Sequence, residues 1–280
     1  MKVAVTGGNG KLGRVVVADL ISKGYEVLSL DRVPHSVQGA KAMTVDIQHE
    51  GQVFDAICGC EALVHLAGYA RPSMVPDFIT FSENVKGTYN VLNACSKMGI
   101  KNVVCASSMA AYGFRYAPVD LYPEHLPIDE TYRCEPIDPY GLSKLVGETI
   151  ADSFSRLSEM KIVSFRLPQV IEGYDILQER LNDPSVAVKS LWLYIDIRDA
   201  ARGIRVAIES DLGPGHEVIL IASGDSAVNG ETADVVRKFL PNTRIIEPES
   251  VGNWSCLDIS KAGKILGFLP EYNWKNQTKL

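Results

Sequence analysis

No stretch of the 280 residues reaches the roughly 18 consecutive apolar positions that a bilayer-spanning helix needs, so no membrane partner is expected. Basic side chains are the minority, 28 against 34 acidic, for a formal charge of −6. Without a basic excess nothing marks a surface for nucleic acid or anionic lipid. The six cysteines contain one close pair, Cys58 and Cys60, and the five histidines form no pair that would complete a zinc site. No metal is therefore expected, and the thiols read as the reduced cysteines of a cytoplasmic protein. Internal repeats, low-complexity runs and linker-like shifts in composition are missing too. The opening MKVAVTGG has one lysine and a short apolar run that stops at glycines, unlike a signal peptide.

What is present is a globular composition, 46% hydrophobic and 22% charged. Residues 2–6 form a β-branched apolar run ending in a glycine cluster. LGRVVVADLISKG follows, apolar at helical spacing and closed by Gly24, and then a strand, YEVLSL, up to Asp31. The alternation continues with a helix near 49–58, strand 62–67, helix 77–98, strand 102–107, helix 139–159 and strand 161–167. Continuously apolar strands alternating with helices predict a parallel sheet covered on both faces. The Pro-rich, aromatic segment 112–139 has no period and reads as a long functional loop. Residues 168–190 read as irregular, followed by a strand over LWLYID, a helix at 198–210, a strand at 216–222, helices near 231–240 and 258–266, and a surface tail over the last ten residues.

Between the first strand and helix stands Thr6-Gly7-Gly8-Asn9-Gly10-Lys11-Leu12-Gly13. Gly7 and Gly10 allow a tight turn and close approach to a pyrophosphate, Gly13 allows close helix–sheet packing, and the helix N-terminus offers free N–H groups. Asp31, 18 residues after Gly13, stands where a carboxylate accepts a ribose diol and repels a 2′-phosphate, its bland alternative being a strand-end turn cap. Arg32 beside it blurs the choice, and NAD is favoured over NADP.

Asp138-Pro139-Tyr140-Gly141-Leu142-Ser143-Lys144 reads as a helix start, with Asp138 as N-cap and Pro139 at the first helical position. Tyr140 and Lys144 are then one turn apart on one face. A phenol titrates near ~10, and an ammonium one turn away together with an oxidised nicotinamide favours the phenolate. Such a pair can take a proton from a substrate hydroxyl as hydride leaves the carbon.

With these motifs the sequence resembles the extended short-chain dehydrogenase/reductases, the NAD-dependent epimerase/dehydratase family. TGGNGKLG is similar to its TGxxGxxG turn, and Asp46-Ile47 to its adenine contacts. Leu66, Ala67 and Gly68 resemble the stretch lining the cofactor, and Asn84 the helix asparagine that supports the site. ASSMAAYG resembles the serine-bearing strand end, with Ala106 and Ser107 beside the cofactor and Ser108 at the catalytic hydroxyl position. YGLSK supplies Tyr140 and Lys144, and Leu167 closes the cofactor set. The resemblance implies a Rossmann-type doubly wound parallel sheet with a small C-terminal substrate lobe. Residues 1–167, with contributions from 191–222, would hold the dinucleotide, and 168–280 the substrate. It also implies a homodimer through helix 77–98 and the Tyr140 helix. His65 reads as a core histidine rather than a base.

Two departures narrow the activity. Dehydratases carry an acidic pair after the catalytic hydroxyl, where this chain has Met109 and Ala110. Only 29 residues separate Arg166 from Asp196, shorter than in nucleotide-sugar epimerases and similar to uronate dehydrogenases. The expectation is an NAD-dependent oxidation of a small sugar, sugar acid or related polyol. The alternatives are a UDP-hexose 4-epimerase with tightly held NAD and, more remotely, a non-catalytic NAD(P) sensor. Arg71, Ser73, Met109, Tyr112 and Gln169 are the candidate pocket wall, and Arg71, Arg115, Arg133 and Arg166 are candidates for a substrate carboxylate, although surface solvation or core pairing is the more ordinary state of any single one.

Overall fold

The computed structural model describes residues 1–246 and 251–276. Its first part runs β1 (Lys2–Thr6), α1 (Lys11–Ser22), β2 (Glu26–Asp31), β3 (Lys41–Thr44), α2 (Glu50–Ile57), β4 (Ala62–His65), α3 (Asp77–Met98) and β5 (Asn102–Ser108). After these come β6 (His125–Leu126), α4 (Pro139–Ser158), β7 (Lys161–Leu167), β8 (Val170–Ile171), α5 (Gln178–Asn182), β9 (Ile195–Asp196), α6 (Ile197–Glu209), β10 (Gly215–Leu220), α7 (Thr232–Phe239), β11 (Arg244–Ile245) and α8 (Ser260–Leu266).

Seven strands form one sheet in the order β3-β2-β1-β4-β5-β7-β10, and every neighbouring pair is parallel. Alternate residues of each strand point to opposite faces, so an apolar run buries both ways. Val3, Val5, Val64, Val104, Val163 and Phe165 pack on the face with α1, α6 and α8, whereas Ala4, Leu63, Val103 and Ile162 pack on the face with α2, α3 and α4. This is the predicted Rossmann-type arrangement. The strand order reverses between β1 and β4, and a crevice opens there at the carboxyl ends of the strands.

Two further cores, away from the sheet faces, join the long loop to the C-terminal part. Met109, Tyr112, Phe114, Leu126 and Ile128 pack with Leu191, Trp192, Val228, Val236 and Leu257, while Tyr194 packs with Ile171, Leu177 and Ala227. Here the sequence expectation needs correction. LWLYID is a strand only at its last two residues, Ile195–Asp196, paired with β8. Leu191 and Trp192 have left-handed φ of 52° and 54°, following a 3₁₀ stretch at Pro184–Ser190. Trp192 is fully buried, and its indole N–H donates to the Pro184 carbonyl at 2.7 Å. A short apolar run says that it is buried, not that it is extended. The edge strand β3, partly exposed, and the small β6–β11 pair escaped the periodicity altogether.

The expected tail is also partly anchored. Buried Asp199 accepts the backbone N–H groups of Glu271 and Tyr272, at 2.9 and 2.8 Å, and the Trp274 N–H donates to the Tyr194 hydroxyl at 3.1 Å. Residues 277–280 of that predicted tail lie outside the described residues.

Candidate active site

The glycine turn is built by close approach. A Cβ on Gly7 would stand 2.7 Å from the Ala67 nitrogen, one on Gly10 3.0 Å from the Gly7 oxygen, and one on Gly13 2.0 Å from that same oxygen. Gly7 also has φ +71°, open to glycine at little cost. The turn is pinned to β2, with the Gly8 N–H donating to Leu30 O and the Asn9 N–H to Asp31 Oδ2, both at 3.0 Å. Such a cradle leaves space and N–H groups for a diphosphate at the start of α1.

Two adjoining clefts share this turn. One, of about 190 Å³, is lined by Gly7, Gly10, Asp31, Arg32, Asp46, Ile47, Leu66, Ala67, Gly68 and Asn84, all anticipated from sequence. Leu30, Val45, Gln48, Tyr69, Met74 and Glu83 complete its wall and were not anticipated. Arg32 is turned aside: its guanidinium donates to the Tyr69 hydroxyl at 3.3 Å and lies 3.9 Å from the Glu83 carboxylate. The other cleft, of about 410 Å³, gathers Lys11, Leu12, Gly13, Arg71, Ala106, Ser107, Ser108, Met109, Tyr140, Lys144, Leu167 and Gln169. Arg115, anticipated as a carboxylate candidate, lines it too, and the structure adds Tyr116, Pro168, Val170 and Ser190.

Helix α4 starts as predicted, with Asp138 accepting the Gly141 N–H at 2.8 Å and Pro139 in the first turn. That sets Tyr140 and Lys144 on the cleft side. Ser108 ends β5, where its hydroxyl accepts the Ala110 N–H at 3.1 Å. The neighbouring Ser107 hydroxyl is committed elsewhere, donating to buried Glu148 at 2.6 Å. Asn84 braces the wall: its Oδ1 accepts the Tyr69 N–H at 2.8 Å, and its Nδ2 donates to Tyr69 O and Ser143 Oγ at 3.1 and 3.0 Å.

The electrostatics of the pair differ from expectation. Lys144 Nζ donates to the Ala106 carbonyl rather than to the phenol, and burial holds its ammonium down to about 8. Burial likewise pushes the Tyr140 phenol well above its ordinary value, with the Ser108 hydroxyl opposing that rise and Tyr116 and Asp138 adding to it. One turn of helix brings the two groups together, but in the chain alone desolvation outweighs their attraction.

Three of the anticipated cofactor and pocket-wall residues, and two of the candidate arginines, line neither cleft. Tyr112 is buried in the loop core, where its hydroxyl donates to Asp129 O at 2.7 Å beneath the Arg166 guanidinium. Ser73 sits in an exposed turn, and Asn9 offers only its backbone to Asp31. Two of the candidate arginines are occupied. Arg166 donates two buried hydrogen bonds to the Glu148 carboxylate, at 3.0 and 2.7 Å, and Arg133 pairs on the surface with Glu135 at 3.0 Å. His65 is a core histidine bonded to Thr6 and Thr88, and burial pushes it down to about 3.

Residues 3–181 match the model of the family described as NAD dependent epimerase/dehydratase. The chain is 27% identical over 218 residues to the L-arabinose 1-dehydrogenase (NAD(P)(+)) of Haloferax volcanii, spanning 75% of this chain and 84% of that one. It is 32% identical over 179 residues to a UDP-glucose 4-epimerase of Streptococcus mutans, spanning 59% of this chain and 51% of that one. Among solved structures, a short-chain dehydrogenase/reductase superfamily protein from Agrobacterium tumefaciens with bound NAD superposes with a TM-score of 0.76 at 23% identity, over 98% of this chain and 93% of that one.

Proposed function

From the premise that the chain belongs to the NAD-dependent epimerase/dehydratase family, enzymes of the extended short-chain dehydrogenase/reductase type, we propose an oxidoreductase that oxidises a secondary or anomeric hydroxyl of a small sugar, sugar acid or related polyol. The observation that carries it is the opening of Tyr140, Lys144 and Ser108 on one cleft that continues into the glycine-turn cleft. The short segment between β7 and β9 supports a small substrate over a nucleotide one.

The residues fit a dinucleotide. The turn, kept tight because a Cβ at Gly7, Gly10 or Gly13 would meet neighbouring backbone, receives the diphosphate, and Asp31 accepts the adenosine ribose hydroxyls. Arg32, drawn toward Tyr69 and Glu83, leaves a 2′-phosphate without a partner, which favours NAD over NADP. Asp46, Ile47, Leu66, Ala67 and Gly68 wall the adenosine side; Ala106, Ser107 and Leu167 stand on the nicotinamide side. When bound, the cofactor supplies the hydride acceptor and a positive ring. Tyr140 accepts the proton of the substrate hydroxyl, Ser108 orients that oxygen by hydrogen bonding, and Lys144 stabilises the phenolate and holds the cofactor ribose. Met109 and Ala110 have no titratable group with which to move a proton at the neighbouring carbon, which argues against dehydration.

In this reading residues 1–167 with 191–222 hold the cofactor, 168–280 form the substrate lobe, and the enzyme works in the cytoplasm as a homodimer. Exposed Phe78 and Tyr89 on α3 and Leu142 and Leu157 on α4 offer an apolar surface for pairing. Sedimentation of wild type against a Phe78→Glu, Leu157→Glu variant tests that part.

Activity is tested with a panel of sugars, sugar acids and polyols and added NAD, followed by NADH absorbance. Silence across the panel would overturn the reading. The identity to a UDP-glucose 4-epimerase favours the competing outcome, in which the purified protein retains NAD and a UDP-hexose interconverts with no net NADH.

A further inference from the structure

The wall of the larger cleft beyond Tyr140 carries one sign of charge. Lys11, Arg71, Arg115 and Lys144 line it, and none of its lining residues is Asp or Glu, although the chain as a whole is acidic. A diphosphate at the glycine turn accounts for the cations nearest that turn. It leaves the far end, around Arg115, Tyr116, Gln169 and Ser190, unexplained.

Behind that end lies a buried cation. Arg180, on α5, is 8% exposed, and among the described residues it has no carboxylate within salt-bridge reach. Its guanidinium donates to the Leu193 carbonyl at 3.3 Å and to Gln169 Oε1. Burial and the like charge of Arg115 push it down to about 10, still fully protonated at neutral pH. Arg115 has no carboxylate partner among the described residues either, and its guanidinium lies 5.5 Å from the centre of the Tyr116 ring. That ring meets Tyr140 edge-on at 5.8 Å. A buried guanidinium with no paired carboxylate is costly, Glu179 attracting it only from beyond ion-pair distance, and a second guanidinium close by adds to the cost. An entering anion offsets both. Because Arg180 occupies the oxygen of the Gln169 amide, the nitrogen is the end left to donate into the cleft.

Resting on the oxidoreductase reading above, we propose that the substrate is an anion, a small sugar bearing a carboxylate or a phosphate. Arg115 and the Gln169 amide receive that group one aromatic ring away from Tyr140. Arg180 is a positioning residue: it fixes Gln169 and adds positive charge behind it. Arg71, exposed at the rim, guides the anion inward.

The test uses the full-length protein with NAD and a matched set of one aldose, its uronate and its 6-phosphate. The uronate or the phosphate is expected to be oxidised with the higher kcat/KM, and whichever wins identifies the anion. Replacing Arg115 with Gln should raise KM for that substrate about tenfold to a hundredfold, as for loss of a charge-assisted hydrogen bond, and Arg115→Lys should recover part of the loss. Arg180→Lys and Gln169→Leu should both raise KM with kcat little altered, a split that loss of folding does not produce. A neutral aldose preferred over both anions, or a KM for the anion that Arg115→Gln leaves unchanged, overturns the anion subsite while keeping the oxidoreductase. Binding is read separately as the thermal shift given by uronate or sugar phosphate to the NAD-loaded protein. A shift abolished by Arg115→Gln without any turnover keeps the subsite and overturns the redox reading; no shift and no turnover overturns both.

Discussion

Lys144 stands beside Tyr140 without bonding to it: Nζ is 5.7 Å from the centre of the phenol ring and donates to the Ala106 carbonyl at 2.9 Å. In the chain alone, burial favours the neutral form of both groups. The phenol rises and the ammonium falls to about 8. A positively charged ring bound in the cleft would favour the phenolate while disfavouring the nearby ammonium further.

Tyr140→Phe should therefore keep NAD binding within about threefold while lowering kcat by about a thousandfold or more, because only the proton transfer is removed. Ser108→Ala, which removes one orienting hydrogen bond, should cost about a hundredfold. Steady-state kinetics with quenching of protein fluorescence by NAD separates the two parameters. An active Tyr140→Phe enzyme would move the chemistry to another residue.

Stability should respond to pH through Lys144. Its side chain titrates at about 8 in the fold, against an ordinary value near ~10.4 in the unfolded chain. Below the folded value both states are charged, and the fold bears the whole penalty of the buried ammonium. Between the two values the unfolded state keeps a proton that the fold has released, so stability gains from rising pH. Lys144→Met should be more stable than wild type near neutral pH, with the advantage shrinking on going up to about pH 10. Urea denaturation at both ends of that window measures it, and a constant difference would contradict the buried ammonium.

Gly13→Ala places a methyl 2.0 Å from the Gly7 carbonyl oxygen, which is backbone and cannot rotate away. α1 must shift off the sheet, so NAD affinity is expected to fall at least about tenfold and thermal stability to drop with it. Isothermal titration and melting curves check both. Gly51→Ala, with nothing within 4 Å of its added methyl, is the control that should do neither.

Glu148 and Arg166 form a nearly closed ion pair, with side chains 7% and 6% exposed, and Glu148 also receives the Ser107 hydroxyl. Glu148→Ala strands a buried guanidinium and should cost about 3–5 kcal/mol, whereas a double Glu148→Met, Arg166→Met change should recover part of that. Chemical denaturation of the two variants decides it; a double variant no more stable than Glu148→Ala would deny the coupling.

Asp31→Ala removes the carboxylate expected to meet the ribose diol. NAD affinity should fall about tenfold or more, and the NADP/NAD preference should rise, since repulsion of a 2′-phosphate is lost. The ratio of kcat/KM for the two cofactors is the measure, and an unchanged ratio would assign Asp31 to the turn alone.

Much of this site could be read along the chain because its signals are local. Gly7 to Gly13 occupy one turn, Asp138 caps the helix that carries Tyr140 and Lys144, and Ser108 ends a strand by its apolar run. The sheet was legible for the same reason, since strands buried on both faces are continuously apolar. Tyr112 misled because a tyrosine near the catalytic serine is equally at home in a core, and only its bond to Asp129, 17 positions away, shows which.

The covalent order of side chains settled which residues share a turn, a strand face or a helix face, through periods of 2.0 and 3.6 that need no partner. Everything that depends on a distant partner waited for folding: the turning of Arg32 toward Glu83, the closure of Arg166 on Glu148, and the burial of Trp192 in place of a strand. The same holds for Arg180 behind Gln169 and for the pKa values of Tyr140 and Lys144. Charge energies are set by the dielectric and by the neighbours that packing brings within a few ångströms, and neither is written in spacing along a chain.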